Sequence, residues 1–392
     1  MMDELKYDLV VIGGGAAAFA AALKANEFGA KVAMIEQGKL GGTCVNVGCV
    51  PTKYLLEAAR KYYETKTDSF AGVTSHGAEL DYQALIGQKN AIVKHEQQSK
   101  YSDVLEAYEN IDLFRGQGKF VDANTVQVGD SRIKADKFII ATGSSAHAVP
   151  IPGLEKVEYL TNIEALDLNS LPKSLIIIGG RAVGLEFAQI FSRLGTKVTL
   201  LQRSARILPE TEPEISAALA GYLSDEGIEI LTKVKTQSID NQGGNVVIKV
   251  LVDNKSREIK AEKLLMATGR KANSAALDLE KARVEVDDKG FIIVNEEMQT
   301  NVEHIFAAGD VIGNPMLETV AAKEGSIAGF NAMSIIKKKT MDYRAIPQAV
   351  FTDPSVASVG LTDAQVNKSG VACNCRTLSM ENVPKAKIIQ DT

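Results

Sequence analysis

The chain opens on an unbroken apolar run and then changes rhythm. Residues 9–36 read LVVIGGGAAAFAAALKANEFGAKVAMIE. The consecutive apolar residues 9–12 suit a strand buried on both faces, the pattern of a parallel sheet. Glycines follow, then a helical stretch of small apolar residues, then Gly29 as a helix stop, then a second apolar strand. Residues 175–202 read LIIIGGRAVGLEFAQIFSRLGTKVTLLQ and repeat that order without a gap, 166 positions further on, with Gly195 as the stop. Strand, turn, helix, strand is thus written twice. Three more apolar runs end in small-residue turns: FIIATGS at 138–144, LLMATGR at 264–270 and IFAAGDV at 305–311. The first two have the character of crossovers between domains, and IPGL at 151–154 that of a linker.

Two glycine turns in matching βαβ context are far more specific than one. They predict an α/β fold with two Rossmann-like dinucleotide-binding domains. In the first copy Gly13 permits the tight turn, Gly15 lets a pyrophosphate approach the backbone at the helix N-terminus, and Ala18 allows close helix–strand packing. Glu36, 23 residues after Gly13, stands where a carboxylate takes ribose hydroxyls. In the second copy Gly179 and Gly184 flank Arg181, which replaces the middle glycine and is expected to swing outward and pair with phosphate rather than crowd the turn. Gln202 occupies the acidic position, with Arg203 and Arg206 after it. Loss of the carboxylate removes repulsion of a 2′-phosphate that nearby arginines bind, which favours NADPH over NADH. Two nucleotide sites in one chain suggest an exchange of electrons, with FAD in the first and the nicotinamide cofactor in the second. Asp310 is placed to hydrogen-bond the flavin's ribityl chain.

Composition narrows the classes. A chain of 392 residues exceeds a single core. Its 44 basic and 49 acidic residues leave a net charge of −5, which gives no nucleic-acid footprint. The apolar, uncharged stretch 9–23 is broken by glycines and is shorter than the ~18 apolar residues of a membrane span. Acidic residues before the first apolar run argue against a signal peptide. A cytoplasmic location is expected.

Four cysteines are too few for a disulfide framework. Cys44 and Cys49 fall within GGTCVNVGCVPTK, residues 41–53. A regular helix would separate positions five apart by about 7.5 Å along its axis, whereas bridged cysteines hold their Cα atoms about 4.4–6.8 Å apart. A bridge here therefore demands a distorted turn, for which Gly48 and Pro51 supply the means, and such a bridge is readily reduced. A structural disulfide, a zinc site and two unrelated thiols are the alternatives. Zinc requires two further ligands, and Cys373 and Cys375, far along the chain, read as structural or incidental.

The 41–53 stretch resembles the redox motif of the class I flavin-dependent pyridine nucleotide-disulfide oxidoreductases, which include dihydrolipoamide dehydrogenase, glutathione reductase and mercuric reductase. The resemblance covers essentially the whole chain, through both glycine turns, ATGS, ATGR, AAGD and FTDPSVASVG at 351–360. Val45, Val50, SRLGTKVTLL at 192–201 and RTLSMENVPKA at 376–386 are similar to the mercuric reductase branch; Thr52 departs from the usual serine. The resemblance implies Cys49 as the flavin-proximal thiolate, Cys44 as the outer thiol, and Lys53 near flavin N5 with Glu186 as its partner. It implies Gly42, Thr43, Thr142, Gly143, Gly269 and Arg270 as cofactor contacts beside those already named. The implied activity is reduction of thiol-bound Hg2+ by NADPH through FAD, with Cys44 and Cys49 as soft ligands of the metal. A disulfide reductase and a non-catalytic redox-sensing flavoprotein are the rival readings. The implied domains are a FAD domain of 1–152 and 275–341, an NAD(P)H domain of 153–274, and, over 342–392, the incomplete start of an α+β domain at a homodimer interface. Family members continue for about 70–100 residues more, with a His–Glu pair or a further cysteine pair. His76, His95, His147 and His304 match neither pattern. The chain is therefore expected to be a fragment or a short member that dimerises weakly and turns over poorly.

Overall fold

The computed structural model describes residues 4–67, 70–372 and 374–390. Contacts divide the chain into two compact units. The first comprises Met1–Thr52, Gly87–Val149 and Thr268–Ile346; the second comprises Lys53–Ile86, Pro150–Ala267 and Pro347–Thr392. The contact units part at 149/150 and 267/268, where the sequence suggested 152 and 274, and 347–392 groups with the second unit.

The first unit is built on a sheet in the order β3 (Ile111–Arg115), β2 (Val32–Glu36), β1 (Glu4–Ile12), β6 (Ser131–Ile140), β5 (Thr125–Val128), β4 (Gly118–Asp122). β1 runs parallel to both neighbours, with Ile12 opposite Ile35 and Ile140. One edge of β6 is shared: β5 pairs with its start and the strand Ile305–Ala307 with its end. Alternate residues of the strands sort onto two cores, as a sheet covered on both faces requires. Leu9, Val11, Val32, Met34 and Ile139 pack with helix α1 (Ala16–Asn26) and helix Glu318–Met333. Val10, Ile12, Ala33, Ile35, Phe138 and Ile140 pack with Phe120, Leu277 and Leu279. The two helices meet backbone to backbone. A Cβ at Gly325 would lie 2.1 Å from the Ala17 carbonyl oxygen, and one at Gly329 would lie 2.4 Å from that of Ala21. This close approach fixes α1 and hence the glycine turn at its N-terminus.

The second unit contains the second copy of the repeat. Strands Glu229–Leu231, Lys197–Leu201, Ser174–Ile178 and Lys263–Met266 form a parallel sheet in that order. The continuous apolar run predicted as a strand is buried along 175–178, and helix Ala182–Arg193 packs on it with nine of its residues buried. An antiparallel meander, Lys235–Gln242, Asn245–Val252 and Lys255–Ala261, stands beside this sheet in the chain. The fold is α/β with parallel cores, as expected.

Candidate active site

Backbone crowds the first glycine turn at Gly13 and Gly42. Gly13 has φ +129°, and a Cβ there would lie 2.2 Å from the Ala141 carbonyl oxygen. At Gly14 a Cβ would lie 2.8 Å from Glu36 Oε2, and at Gly42 (φ +59°) it would lie 2.9 Å from Gly15 Cα. No L side chain fits at Gly13 or Gly42, so the turn stays slim there, and the N-terminus of α1 carries no side-chain cap. That leaves helix N–H groups for an anion, and the residues present fit a dinucleotide diphosphate. Ala18 is fully buried behind the turn. Glu36 accepts the Gly38 N–H at 2.6 Å from the end of β2.

Gly42 begins the short helix α2 (Gly42–Val47), and α3 (Cys49–Glu64) follows after a break at Gly48. A Cβ at Gly48 would lie 2.8 Å from the Thr43 carbonyl oxygen, so only glycine lets the chain fold back this tightly. The distorted turn that the sequence required is this break. It brings the Cys44 thiol to the Cys49 sulfur as a hydrogen-bonded pair. That bond, then burial, then the Cys49 charge and more distantly Glu318 push the Cys44 pKa well up, so Cys44 keeps its proton. Cys44 is half-buried and Cys49 exposed.

The three small-residue turns converge in the same unit. Ser144–Ala146 pairs with Arg270–Ala272. Arg270 donates from Nε to Ser144 Oγ and from Nη2 to the Ser144 carbonyl, both at 2.6 Å, with Thr43 Oγ1 at 3.4 Å. Ser144 Oγ in turn donates to Asp310 Oδ2 at 2.6 Å. Burial pulls the Arg270 pKa down, against the pull of Asp310 and Cys49; a guanidinium stays charged regardless. Thr142 Oγ1 donates to the Asn273 carbonyl at 2.8 Å, and Gly143 (φ +68°) accepts the Asn273 N–H at 3.0 Å. Gly269 (φ +137°) accepts the His147 N–H at 2.9 Å. Behind Asp310, the buried Glu324 accepts the Gly309 N–H at 2.8 Å and the Tyr343 hydroxyl at 2.7 Å.

In the second unit Lys53 Nζ donates to Glu186 Oε2 at 2.6 Å, with the two side chains 33% and 5% exposed. The expected partners are together although 133 positions separate them. The second glycine turn repeats the logic of the first. Gly179 has φ +123° with the Ala267 carbonyl oxygen 2.1 Å from a Cβ, and at Gly184 the Gly179 oxygen would be 1.8 Å away. Arg181, 67% exposed, faces outward to an ion pair with Glu210. Gln202 is buried and braces the turn, its Oε1 accepting the Gly180 N–H at 3.1 Å and its Nε2 donating to the Arg206 carbonyl at 3.3 Å. Arg203 is exposed. Arg206 donates from Nη2 to Pro209 and Thr211 carbonyls, while its Nε is buried without a partner. An orphaned guanidinium nitrogen beside an exposed arginine suits a phosphate.

His304 donates to the Ala123 carbonyl at 2.7 Å and lies edge-on to Phe138, a structural role. Cys375 lies 3.0 Å from Asp363 Oδ1, and Cys373 falls outside the described residues. Among the described residues no group of three or more His, Cys, Asp or Glu is arranged to hold a metal. Ser144, Asn273 and Phe351 were not singled out from the sequence. Each lies inside or beside a quoted motif, so adjacency was the available signal.

Comparison with known proteins agrees with this geometry. The family model described as pyridine nucleotide-disulphide oxidoreductase matches residues 7–325, and that family's dimerisation domain matches 346–392. The chain is 42% identical to a mercuric reductase of Lysinibacillus sphaericus over all of its own length and 71% of that protein. It is also 42% identical to a mercuric reductase of Staphylococcus aureus, over 98% of the chain and 70% of the relative. A solved Cu(II) complex of the HOCl-induced flavoprotein disulfide reductase RclA from Escherichia coli superposes with a TM-score of 0.87 at 30% identity, covering 99% of this chain and 84% of that one.

Proposed function

The chain belongs to the pyridine nucleotide-disulphide oxidoreductase family, and from that premise we propose that it reduces thiol-bound Hg2+ to Hg0 with NADPH as the reductant and FAD as the relay. The observation that carries the reading is the Cys44–Cys49 pair, two thiols in hydrogen-bond contact beside a glycine turn shaped for a dinucleotide. Two sulfur ligands capture a soft cation where oxygen and nitrogen donors compete poorly. The names of the relatives that match over the whole chain support mercury as the substrate.

The chain's own residues divide the work. Gly13, Gly15, Ala18 and Gly42 leave room for the FAD diphosphate, and Glu36 offers a carboxylate to the ribose. Thr43, Thr142, Gly143, Gly269, Arg270 and Asp310 form the polar surround of the crossover turns. Gly179 and Gly184 make room for the NADPH diphosphate, with Arg181, Gln202 and Arg203 around it and Arg206 toward the 2′-phosphate. When bound, FAD would supply a two-electron relay between reduced nicotinamide and the sulfur pair or the metal held there. Cys44 releases its retained proton as the metal binds, because a coordinating thiol is deprotonated. Lys53, with Glu186 as counter-ion, supplies positive charge where negative charge develops. We read 1–152 with 275–341 as the FAD domain, 153–274 as the NADPH domain and 342–392 as part of a dimer-interface domain in a homodimer, working in the cytoplasm. No helix among the described residues is long and apolar enough to cross a membrane.

The test is anaerobic NADPH oxidation with Hg2+ in excess small thiol, together with release of mercury vapour. Hg2+ is expected to stimulate oxidation, and Cys44→Ser or Cys49→Ser to abolish it. The likeness to RclA favours a second reading, a disulfide reductase. Inhibition by Hg2+ alongside turnover of a disulfide substrate would establish that one. A protein that binds flavin and consumes no NADPH with either substrate would instead be a redox sensor.

A further inference from the structure

Phe351 touches both halves of the Lys53–Glu186 pair. Its backbone N–H donates to Glu186 Oε1 at 3.0 Å, and its ring centroid lies 4.6 Å from Lys53 Nζ. Two residues on, Asp353 is gripped by helix Ala182–Arg193. Its N–H donates to Gln189 Oε1 at 2.8 Å, its carbonyl accepts from Gln189 Nε2 at 2.7 Å, and its carboxylate meets Arg193 Nη2 at 2.9 Å. Glu186, Gln189 and Arg193 share one face of that helix, being three and four residues apart. All three are buried, and Glu226 neutralises Arg193 with bonds of 2.8 and 2.6 Å under the Tyr63 ring.

A buried ion pair is a poor source of stability, since an apolar pair of equal volume docks a segment as well or better. What this polar stripe adds is register. Its acceptors and donors match the N–H of Phe351 and both peptide groups of Asp353, so a one-residue slip would strip Glu186 Oε1 and Gln189 Oε1 of the backbone N–H that each accepts in the interior, although Lys53 still holds Glu186 and Glu226 still holds Gln189. We propose that Gln189 and Arg193 are positioning residues for Lys53: by fixing the backbone at Asp353 they set the Phe351 N–H and ring against the pair, and with them the place of the ammonium. The proposal rests on the reading in which Lys53 stands by the flavin.

The experiment uses the flavin-loaded protein. It measures the two-electron midpoint potential of the flavin and the rate of flavin reduction by NADPH without mercury. Phe351→Leu keeps the N–H and removes the ring; Gln189→Leu releases Asp353. Each is expected to weaken the preference for reduced flavin about tenfold, a shift of about 30 mV to more negative potential, with slower reduction and an unchanged KM for NADPH. Phe351→Tyr, which keeps the ring, is expected to match the unaltered protein. An unshifted potential in Phe351→Leu or in Gln189→Leu, or an equal shift in Phe351→Tyr, overturns the proposal; if Gln189→Leu does not fold, Arg193→Lys, which keeps the charge and loses the planar fork that meets Asp353, takes its place with the same expected shift. Lys53→Met separates the layers. If it leaves the potential unmoved, the role of the lysine fails and this inference with it; if it shifts the potential while Phe351→Leu does not, only this inference fails.

Discussion

At Cys44 the neighbouring sulfur governs protonation. The thiol donates to Cys49, and that bond, with burial second, holds the proton on Cys44 above the range of an ordinary cysteine. Only the thiolate is alkylated, so at pH 9 Cys44 is expected to react more slowly with iodoacetamide than a small free thiol. Cys49→Ala removes the first and third causes of the shift, lowers the Cys44 pKa, and is expected to speed its alkylation at that pH several-fold, read by mass spectrometry of the peptide. A rate unchanged by the substitution would mean that burial alone sets the proton. The role of Gly48 as a breaker was legible in the sequence, because glycine between two cysteines five apart marks a turn. That Gln189 grips Asp353 was not, because a glutamine in a helix acquires meaning only from a carbonyl 164 residues away.

At the scale of elements, the packing of α1 on helix Glu318–Met333 decides how well the glycine turn is held. Gly325→Ala places a methyl group 2.1 Å from a carbonyl oxygen that belongs to the facing helix, and neither backbone can yield alone. Overpacking of this kind costs about 1–3 kcal/mol. The variant is expected to show that loss in urea unfolding and to retain flavin less tightly; unaltered stability would mean that the helices separate freely. The small-residue face of α1 was readable because AAAFAAAL follows a glycine turn. Its partner was not, since glycines four apart in EGSIAGF carry no turn signal and explain themselves only once Ala17 and Ala21 are laid against them.

For the whole molecule, the duplicated strand–turn–helix–strand pattern carried most of what the sequence revealed, because burial on both faces imposes an unbroken apolar run that survives wherever the strand sits. Cofactor choice belongs to this scale, for it sets which reductant pool feeds the chain. With Gln202 turned inward to the Gly180 N–H and Arg206 Nε without a partner, kcat/KM is expected to favour NADPH over NADH, and Arg206→Ala to cut the NADPH value about tenfold or more while sparing NADH, in line with about 1.5–3 kcal/mol for a charged hydrogen bond. A preference for NADH in steady-state kinetics would refute this. The first unit is also assembled from distant stretches, and that has a consequence for its birth on the ribosome. Ala17 and Ala21 emerge early, whereas Gly325 and Gly329, which cover them, are made some 300 residues later. At about 5–20 residues per second, the nascent chain waits roughly 15–60 s with that face bare.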